Sequence, residues 1–398
     1  MTVNMFLTDE QGKRYAEFQE FAAANVEPFA GEWDRAQQIP ESAVSQLGRA
    51  GYLGASIPSE YGGQGWDVVT FGLLNEALGR SDSAFTGLLT VQSMISAALL
   101  KWGTDEQRRK WLPPLAKGEM VGAFALTEPG AGSDLQAMAT EFRRSDRGDG
   151  LILSGEKKWI TSGQKAGVFL VFGKLDQKPL ACLVPRESDG FEIEPIKDLM
   201  GFRAAGLARL QFHEVPIPAA NVVGKPGFAL SHIAPVGLQY GRISTACSSL
   251  GLLRACFEES TGYAASRKVG GQRVGDLGMI QSLIAKMGAN LEATRLLCWS
   301  ACRAEDDHLP ETFTRTFIAK YFASRAAVEA ASDAVQIHGA CGCHDSSPVS
   351  RYYRGAKITE IIEGTTQVHE FVLGKGFVHD ALRRRLSRQR SARANPAV

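Results

Sequence analysis

Charge of one sign is what this sequence lacks most plainly. Its 44 Lys and Arg stand against 43 Asp and Glu, leaving +1 over 398 residues. The chain as a whole therefore makes no electrostatic case for nucleic acid or for a membrane surface. A disulfide framework is missing too. Seven cysteines are an odd number in a long chain, which fits a reducing compartment. Cys341-Gly342-Cys343-His344 has ligand-like spacing but no second pair, and a half-site binds metal weakly, so no metal is expected. A membrane-spanning run is also absent. Residues 83–100 are uncharged for 18 positions, yet six are Ser, Thr or Gln and Gly87 interrupts them. A buried core helix is expected there. The first ten residues carry neither a basic segment nor an apolar run, so no export signal is expected and the chain reads as cytoplasmic.

What is present is an ordinary globular balance, 44% hydrophobic and 22% charged, with length for two or three domains. The N-terminal part reads as helices. Thr8-Asp9-Glu10-Gln11 and Thr104-Asp105-Glu106-Gln107 have capping-box spacing ahead of apolar periodicity. Pro40 is expected at a first helical position with Gly51 past the end. A helix over 68–78 follows the loop Gly62-Gly63-Gln64-Gly65. Near residue 121 the period becomes strand-like, with strands expected at 121–126, 151–154, 168–172, 181–184, 191–196 and 210–212. No connection among them is long enough for repeated βαβ crossovers, so the sheet is expected to be antiparallel. From about Phe228 helical patterning returns, with one face carrying Ile280, Leu283, Ile284, Met287, Leu291 and Thr294, and another helix over 314–337.

The expected fold is α+β and mainly α: an N-terminal helical domain (1–120), a central antiparallel β-domain (121–225) and a C-terminal four-helix bundle (226–378). A basic tail (379–398) follows. Residues 381–398 hold six Arg and no acid, leaving the first 380 at −5, and disorder is expected there.

Chemistry concentrates in Ile361-Ile362-Glu363-Gly364-Thr365-Thr366-Gln367. A carboxylate between apolar β-branched residues tends toward a raised pKa, which suits a general base near neutrality. Gly364 lets backbone approach a ligand. Three separated upstream stretches could form a flavin site. In Phe124-Ala125-Leu126-Thr127-Glu128-Pro129-Gly130-Ala131-Gly132-Ser133-Asp134 a strand runs into a turn that exposes backbone N–H groups and hydroxyls. In Lys157-Lys158-Trp159-Ile160-Thr161 a Trp and a Thr share a strand end, one able to stack on a ring and the other to bond its edge. A third stretch, Ala334-Val335-Gln336-Ile337-His338-Gly339, reads as a helix C-terminus capped by Gly, with His338 structural.

Together with Ile57-Pro58-Ser59-Glu60-Tyr61-Gly62-Gly63 and Arg351-Tyr352-Tyr353-Arg354, these phrases occur in the order seen in the acyl-CoA dehydrogenase superfamily, which the sequence resembles over residues 8–378. The resemblance implies the helical–β–four-helix-bundle fold, bound FAD and a homo-oligomer, dimer or tetramer. It implies Glu363 as the base, the flavin N5 as hydride acceptor, and the Glu363 N–H as a polarising donor to the thioester carbonyl. Phe124, Leu126, Thr127, Gly132, Ser133, Trp159, Thr161, Thr365 and Gln367 would contact FAD. Arg267, Gln336 and Gly339 would complete the FAD site of a neighbouring subunit. Gly364 and Ser133 would also meet substrate, and an electron acceptor, not identified by the sequence, would reoxidise the flavin.

Three departures stand out. Arg267-Lys268-Val269-Gly270-Gly271 replaces the common Arg-x-Gln-Phe-Gly. Gly241-Arg242 leaves empty the alternative base position that some members fill with Glu. Arg354-Gly355-Ala356-Lys357 replaces Arg-Asp-Ala-Lys. Gly201-Phe202-Arg203-Ala204-Ala205-Gly206, Tyr240-Gly241-Arg242-Ile243-Ser244 and Gly251-Leu252-Leu253-Arg254-Ala255-Cys256 look like flavoenzymes of polyketide extender-unit biosynthesis (hydroxymalonyl, methoxymalonyl, aminomalonyl). That resemblance implies a short acyl thioester on an acyl carrier protein, with Arg242 holding a polar or anionic acyl group. The alternatives are catabolic desaturation of a short acyl-CoA, or a non-catalytic or nucleic-acid-associated flavoprotein of the same fold.

Overall fold

The computed structural model describes the backbone of residues 6–146, 148 and 150–394, with side chains through residue 387. Six helices come first: α1 (Asp9–Asn25), α2 (Ala30–Ala36), α3 (Glu41–Arg49), α4 (Val68–Ser81), α5 (Thr86–Trp102) and α6 (Asp105–Lys117). Both capping boxes form. In each, the Thr hydroxyl accepts from the N–H of the Gln three residues on, and that Gln amide returns to the Thr backbone. Pro40 stands at the cap itself, one residue before the helix it introduces. α5 is buried along nearly its whole length. Its hydroxyls are accommodated inside the protein, and among the described residues no helix is long and apolar enough to cross a membrane.

Eight strands follow: β1 (Gly122–Ala125), β2 (Glu141–Arg144), β3 (Leu151–Ile160), β4 (Val168–Leu175), β5 (Lys178–Pro185), β6 (Phe191–Pro195), β7 (Ala208–Ile217) and β8 (Val222–Val223). The main path runs β6-β7-β3-β2-β4-β5-β8, with β1 beside β4. The antiparallel expectation is corrected here, because β1–β4 and β2–β4 pair parallel. The chain returns to β4 through the β2–β3 pair rather than through a helix, so short connections did not forbid parallel neighbours. Strand β2 was not anticipated. Its residues Glu141-Phe142-Arg143-Arg144 bury Phe142 alone and read as polar loop.

Helices then return as α7 (Ala234–Ser266), α8 (Gly278–Asp306), α9 (Thr312–His338), α10 (Pro348–Thr359) and α11 (Thr366–Ala394). α7, α8 and α9 pack on one another, and α4 and α5 lie against α7. One core therefore joins the N-terminal helices to the C-terminal ones. Between α7 and α8 the departure at Lys268–Gly271 forms a small hairpin, β9 (Lys268–Val269) with β10 (Gln272–Arg273). Gly270 and Gly271 both have positive φ, as a two-residue hairpin turn requires. The expected disorder at 381–394 is also corrected. α11 runs through Ala394, since Ala, Leu, Arg and Gln are all good helix formers. Residues 395–398 lie outside the described residues.

Candidate active site

Glu363 sits in the short link between α10 and α11, in left-handed conformation with φ 55. Left-handed geometry is uncommon for a residue with a side chain, and such strain persists only where surrounding contacts hold it. Two buried cations supply those contacts. Lys320 of α9 donates from Nζ to the Gly364 carbonyl at 2.6 Å, and Arg242 of α7 donates from Nε to the Glu363 carbonyl at 3.3 Å. The Arg242 guanidinium lies 4.4 Å over the Phe317 ring. His369 packs against the same ring, 4.6 Å between centroids.

Both cations bond backbone carbonyls rather than the Glu363 carboxyl. Its Oε2 is inaccessible to solvent and has no hydrogen-bond partner, although the residue as a whole is half-buried. Burial raises its pKa to about 7, and the charges of Arg242 and Lys320 restrain the rise. Burial also lowers Lys320 to about 8 and His369 to about 4, so the imidazole is neutral near pH 7. Space for the carboxyl comes from Gly241. A Cβ there would stand 2.2 Å from Glu363 Oε2 and 3.0 Å from Met94 Sδ. The position that read as an empty alternative base leaves the room beside the Glu363 carboxyl.

Glu363 lines a partly open cavity of about 30 Å³ together with Thr161, Thr86, Thr245 and Ile362. Thr161, expected at the flavin, and Glu363 thus meet at one cavity, though 202 residues separate them in the sequence. Behind Thr161, strand β3 carries Trp159, which is 48% exposed and held at φ 65, with Lys158 Nζ 4.8 Å from its ring. The neighbouring turn after β1 is fixed by a satisfied charge pair. Lys157 Nζ donates to Glu128 at 2.7 Å and to the Leu126 carbonyl at 3.1 Å, while Ala139 and Thr140 donate their N–H groups to the same carboxylate. Gly130, Gly132 and Ser133 are left exposed. A Cβ at Gly130 would meet nothing within 4 Å, and one at Gly132 only Thr127 Cγ2 at 4.0 Å. An exposed aromatic beside an open, Gly-lined turn fits a planar heterocycle, and Phe124 and Leu126 are buried just behind it.

The remaining expected residues fall in two places. Thr365 follows Glu363 on the α10–α11 link and Gln367 lies in the first turn of α11, and the Thr365 hydroxyl accepts from the Val368 N–H. Arg267 ends α7, while Gln336 and Gly339 end α9, and all three are exposed. Those two helix ends are joined through Tyr263, which donates to the His338 carbonyl at 3.4 Å. His338 Nδ1 lies 2.8 Å from the Ala334 carbonyl. Arg242, expected beside the acyl group, donates to the Glu363 carbonyl and does not line this cavity. Sequence reasoning missed Lys320 and His369. Lys320 had a signal, a charged residue on the buried stripe of α9 beside Thr316, Phe317 and Ala323. Among the described residues no cluster of His, Cys, Asp and Glu is placed to hold a metal.

Comparisons with known proteins identify the family. The acyl-CoA dehydrogenase N-terminal, middle and C-terminal domain families match residues 8–119, 123–215 and 231–377. The chain is 34% identical to the mitochondrial short-chain specific acyl-CoA dehydrogenase of Rattus norvegicus over 360 residues, covering 89% of this chain and 86% of that protein. Butyryl-CoA dehydrogenase from Megasphaera elsdenii has TM-score 0.90 at 31% identity, covering 95% of this chain and all, 100%, of the other. FkbI, described as serving biosynthesis of the methoxymalonyl extender unit of Fk520, has TM-score 0.83 at 30% identity, covering 92% and 99%. The chain belongs to the acyl-CoA dehydrogenase family and is an FAD-dependent oxidoreductase.

Proposed function

We propose that the chain desaturates a short acyl group held as a thioester, with Glu363 removing a proton from Cα. The observation that carries this reading is the Glu363 carboxyl: buried, unpartnered at Oε2 and poised near pH 7. A carboxylate so placed is a base waiting for a proton, because its ionised form has little else to bond. FAD, when bound, supplies the hydride acceptor. Phe124, Leu126, Thr127, Gly132, Ser133, Trp159 and Thr161 would hold its flavin, with Thr365 and Gln367 beside Glu363. Arg267, Gln336 and Gly339 would serve the cofactor of a second copy in a homo-oligomer. Lys320 and Arg242 hold the Glu363–Gly364 backbone. The Glu363 N–H is then fixed where it can polarise a thioester carbonyl, and Gly364 lets the substrate pass close. An electron-accepting protein would reoxidise the cofactor.

Free acyl-CoA is the favoured thioester, since the relatives at 34% identity are named for short-chain acyl-CoA. A carrier-protein thioester is the second reading, supported by the similarity to FkbI and by the basic end of α11. Arg383, Arg384 and Arg385 are exposed there, beyond the family match that ends at 377, and would attract an acidic partner. Anaerobic mixing with butyryl-CoA and with butyryl on a carrier protein tests both. Bleaching of the flavin by either supports the desaturase, and the faster donor names the thioester. No bleaching by any short acyl thioester would overturn the proposal.

A further inference from the structure

The cavity before Glu363 is lined by hydroxyls to a degree that a hydrocarbon tail does not need. Thr86 and Thr90 enter from α5, Thr245 and Ser248 from α7, and Thr359 from the end of α10. All five residues are buried. A buried hydroxyl facing hydrocarbon loses its water and gains nothing, so an alkyl pocket is better lined with aliphatic side chains.

Proton accounting narrows what the cavity wants. Each hydroxyl has one proton and two lone pairs. Ser248 and Thr86 are 2.9 Å apart, and Thr86 donates to the Ser83 carbonyl at 2.7 Å. Thr90 and Ser244 are 2.6 Å apart, and Ser244 donates to Asn75 Oδ1 at 2.7 Å. Thr359 donates to the Ala356 carbonyl at 2.7 Å. These chains commit the protons and leave lone pairs on Thr86 and Thr90. Thr245 Oγ1 is buried with no partner at all, an unfavourable arrangement until something fills it. The cavity thus offers one free donor and spare acceptors. No Lys, Arg or His stands on its wall, so a terminal carboxylate would enter without a counter-charge. Its volume of about 30 Å³ is roughly twice the 10–15 Å³ that one water requires, which suits the tip of a short group and not a long chain.

We propose that the acyl group this enzyme takes is short, uncharged and hydroxylated at its distal end, with the hydroxyl received by Thr245 and the lone pairs of Thr86 and Thr90. This rests on the dehydrogenase reading above: the Cα proton still goes to Glu363 and the Cβ hydride to oxidised flavin, and the hydroxyl is unchanged.

The test compares two isosteric thioesters, 4-hydroxybutyryl and pentanoyl, which differ by a hydroxyl against a methyl. Each is presented on CoA and on a carrier protein, and kcat/KM is measured with holoenzyme. The expected result is a preference of about tenfold or more for 4-hydroxybutyryl, as for sites built to bond a substrate hydroxyl. Thr245→Val should shrink that ratio toward one, and Thr245→Ser should retain it. A wild-type preference for pentanoyl overturns the inference, as does a ratio that Thr245→Val leaves unchanged, which would mean that a bound water fills the site. Turnover of pentanoyl in those cases keeps the dehydrogenase reading intact. Inertness of both thioesters overturns that reading and this one with it.

Discussion

Two buried glutamates, Glu128 and Glu363, show how one residue type serves opposite ends. Glu128 lies under the turn after β1. Burial pushes its pKa up, but the Lys157 ammonium and the N–H groups of Ala139 and Thr140 outweigh that and hold it below the usual range. Both oxygens of its carboxylate are bonded, so it fixes backbone. Glu363 is as deeply placed at its carboxyl, yet its two cations bond backbone carbonyls of the link rather than the carboxylate itself. Its Oε2 is left without a partner and its pKa rises to about 7. The protein spends its donors on position at one glutamate and on charge at the other. A satisfied buried carboxylate reads as architecture, whereas an unsatisfied one with a raised pKa is a candidate for chemistry.

The comparison breaks most sharply by substitution at each glutamate. Glu363→Gln should lower the rate of flavin reduction by about 10²–10⁴-fold, the usual range for a general base, while the bound flavin spectrum persists. Unchanged reduction in stopped flow would remove Glu363 from the chemistry. Glu128→Ala should instead cost about 3–5 kcal/mol of stability by stranding buried Lys157, read as a lower denaturant midpoint. Adding Lys157→Met should recover part of the loss, and no recovery would mean that the pair is not the cause.

Smaller changes sharpen the contrast. Gly241→Ala puts a methyl 2.2 Å from Oε2, and a displacement near 1 Å should cost about 10²-fold in rate. FAD content, measured by absorbance, should stay at the wild-type level. Lys320→Met removes a nearby cation, so the Glu363 carboxyl should titrate higher, by about one unit. The midpoint of the pH–rate curve should move to higher pH. A lower rate with an unmoved midpoint would make Lys320 an anchor alone.

Stability should also separate the two. The folded-state pKa of Glu363 is raised, so the native protein binds more protons than the unfolded chain between about pH 4.5 and 7, and its contribution declines as pH rises through that window. Glu128 has a lowered pKa, so its contribution is present above the ordinary carboxylate range and is lost on acidification.

Glu363 was legible in the sequence because apolar neighbours and a following glycine are local facts. The helical stretches, including the buried one over 83–100, were legible for the same reason. What decides the chemistry was less so. Gly241 could be read only as a missing base, since the carboxyl that fills its space comes from 122 residues further along. The cavity hydroxyls pair across 162 and 154 residues, and each alone is an unremarkable Ser or Thr in a helix. Parallel pairing of β1 with β4 was hidden because the return path is made of strands, one of them the charged β2. Arg242 was singled out for its charge, yet whether it faces substrate or backbone is a matter of packing alone.

The most direct test of the central claim is the pH dependence of anaerobic flavin reduction by butyryl-CoA in a single turnover, wild type against Glu363→Gln. The wild-type rate should rise with an apparent pKa near 7, as the Glu363 carboxyl ionises, and that limb should vanish in the variant. A wild-type rate flat from pH 5 to 9, on the order of two units either side of that pKa, or the same limb persisting in Glu363→Gln, would contradict the assignment of Glu363 as the base.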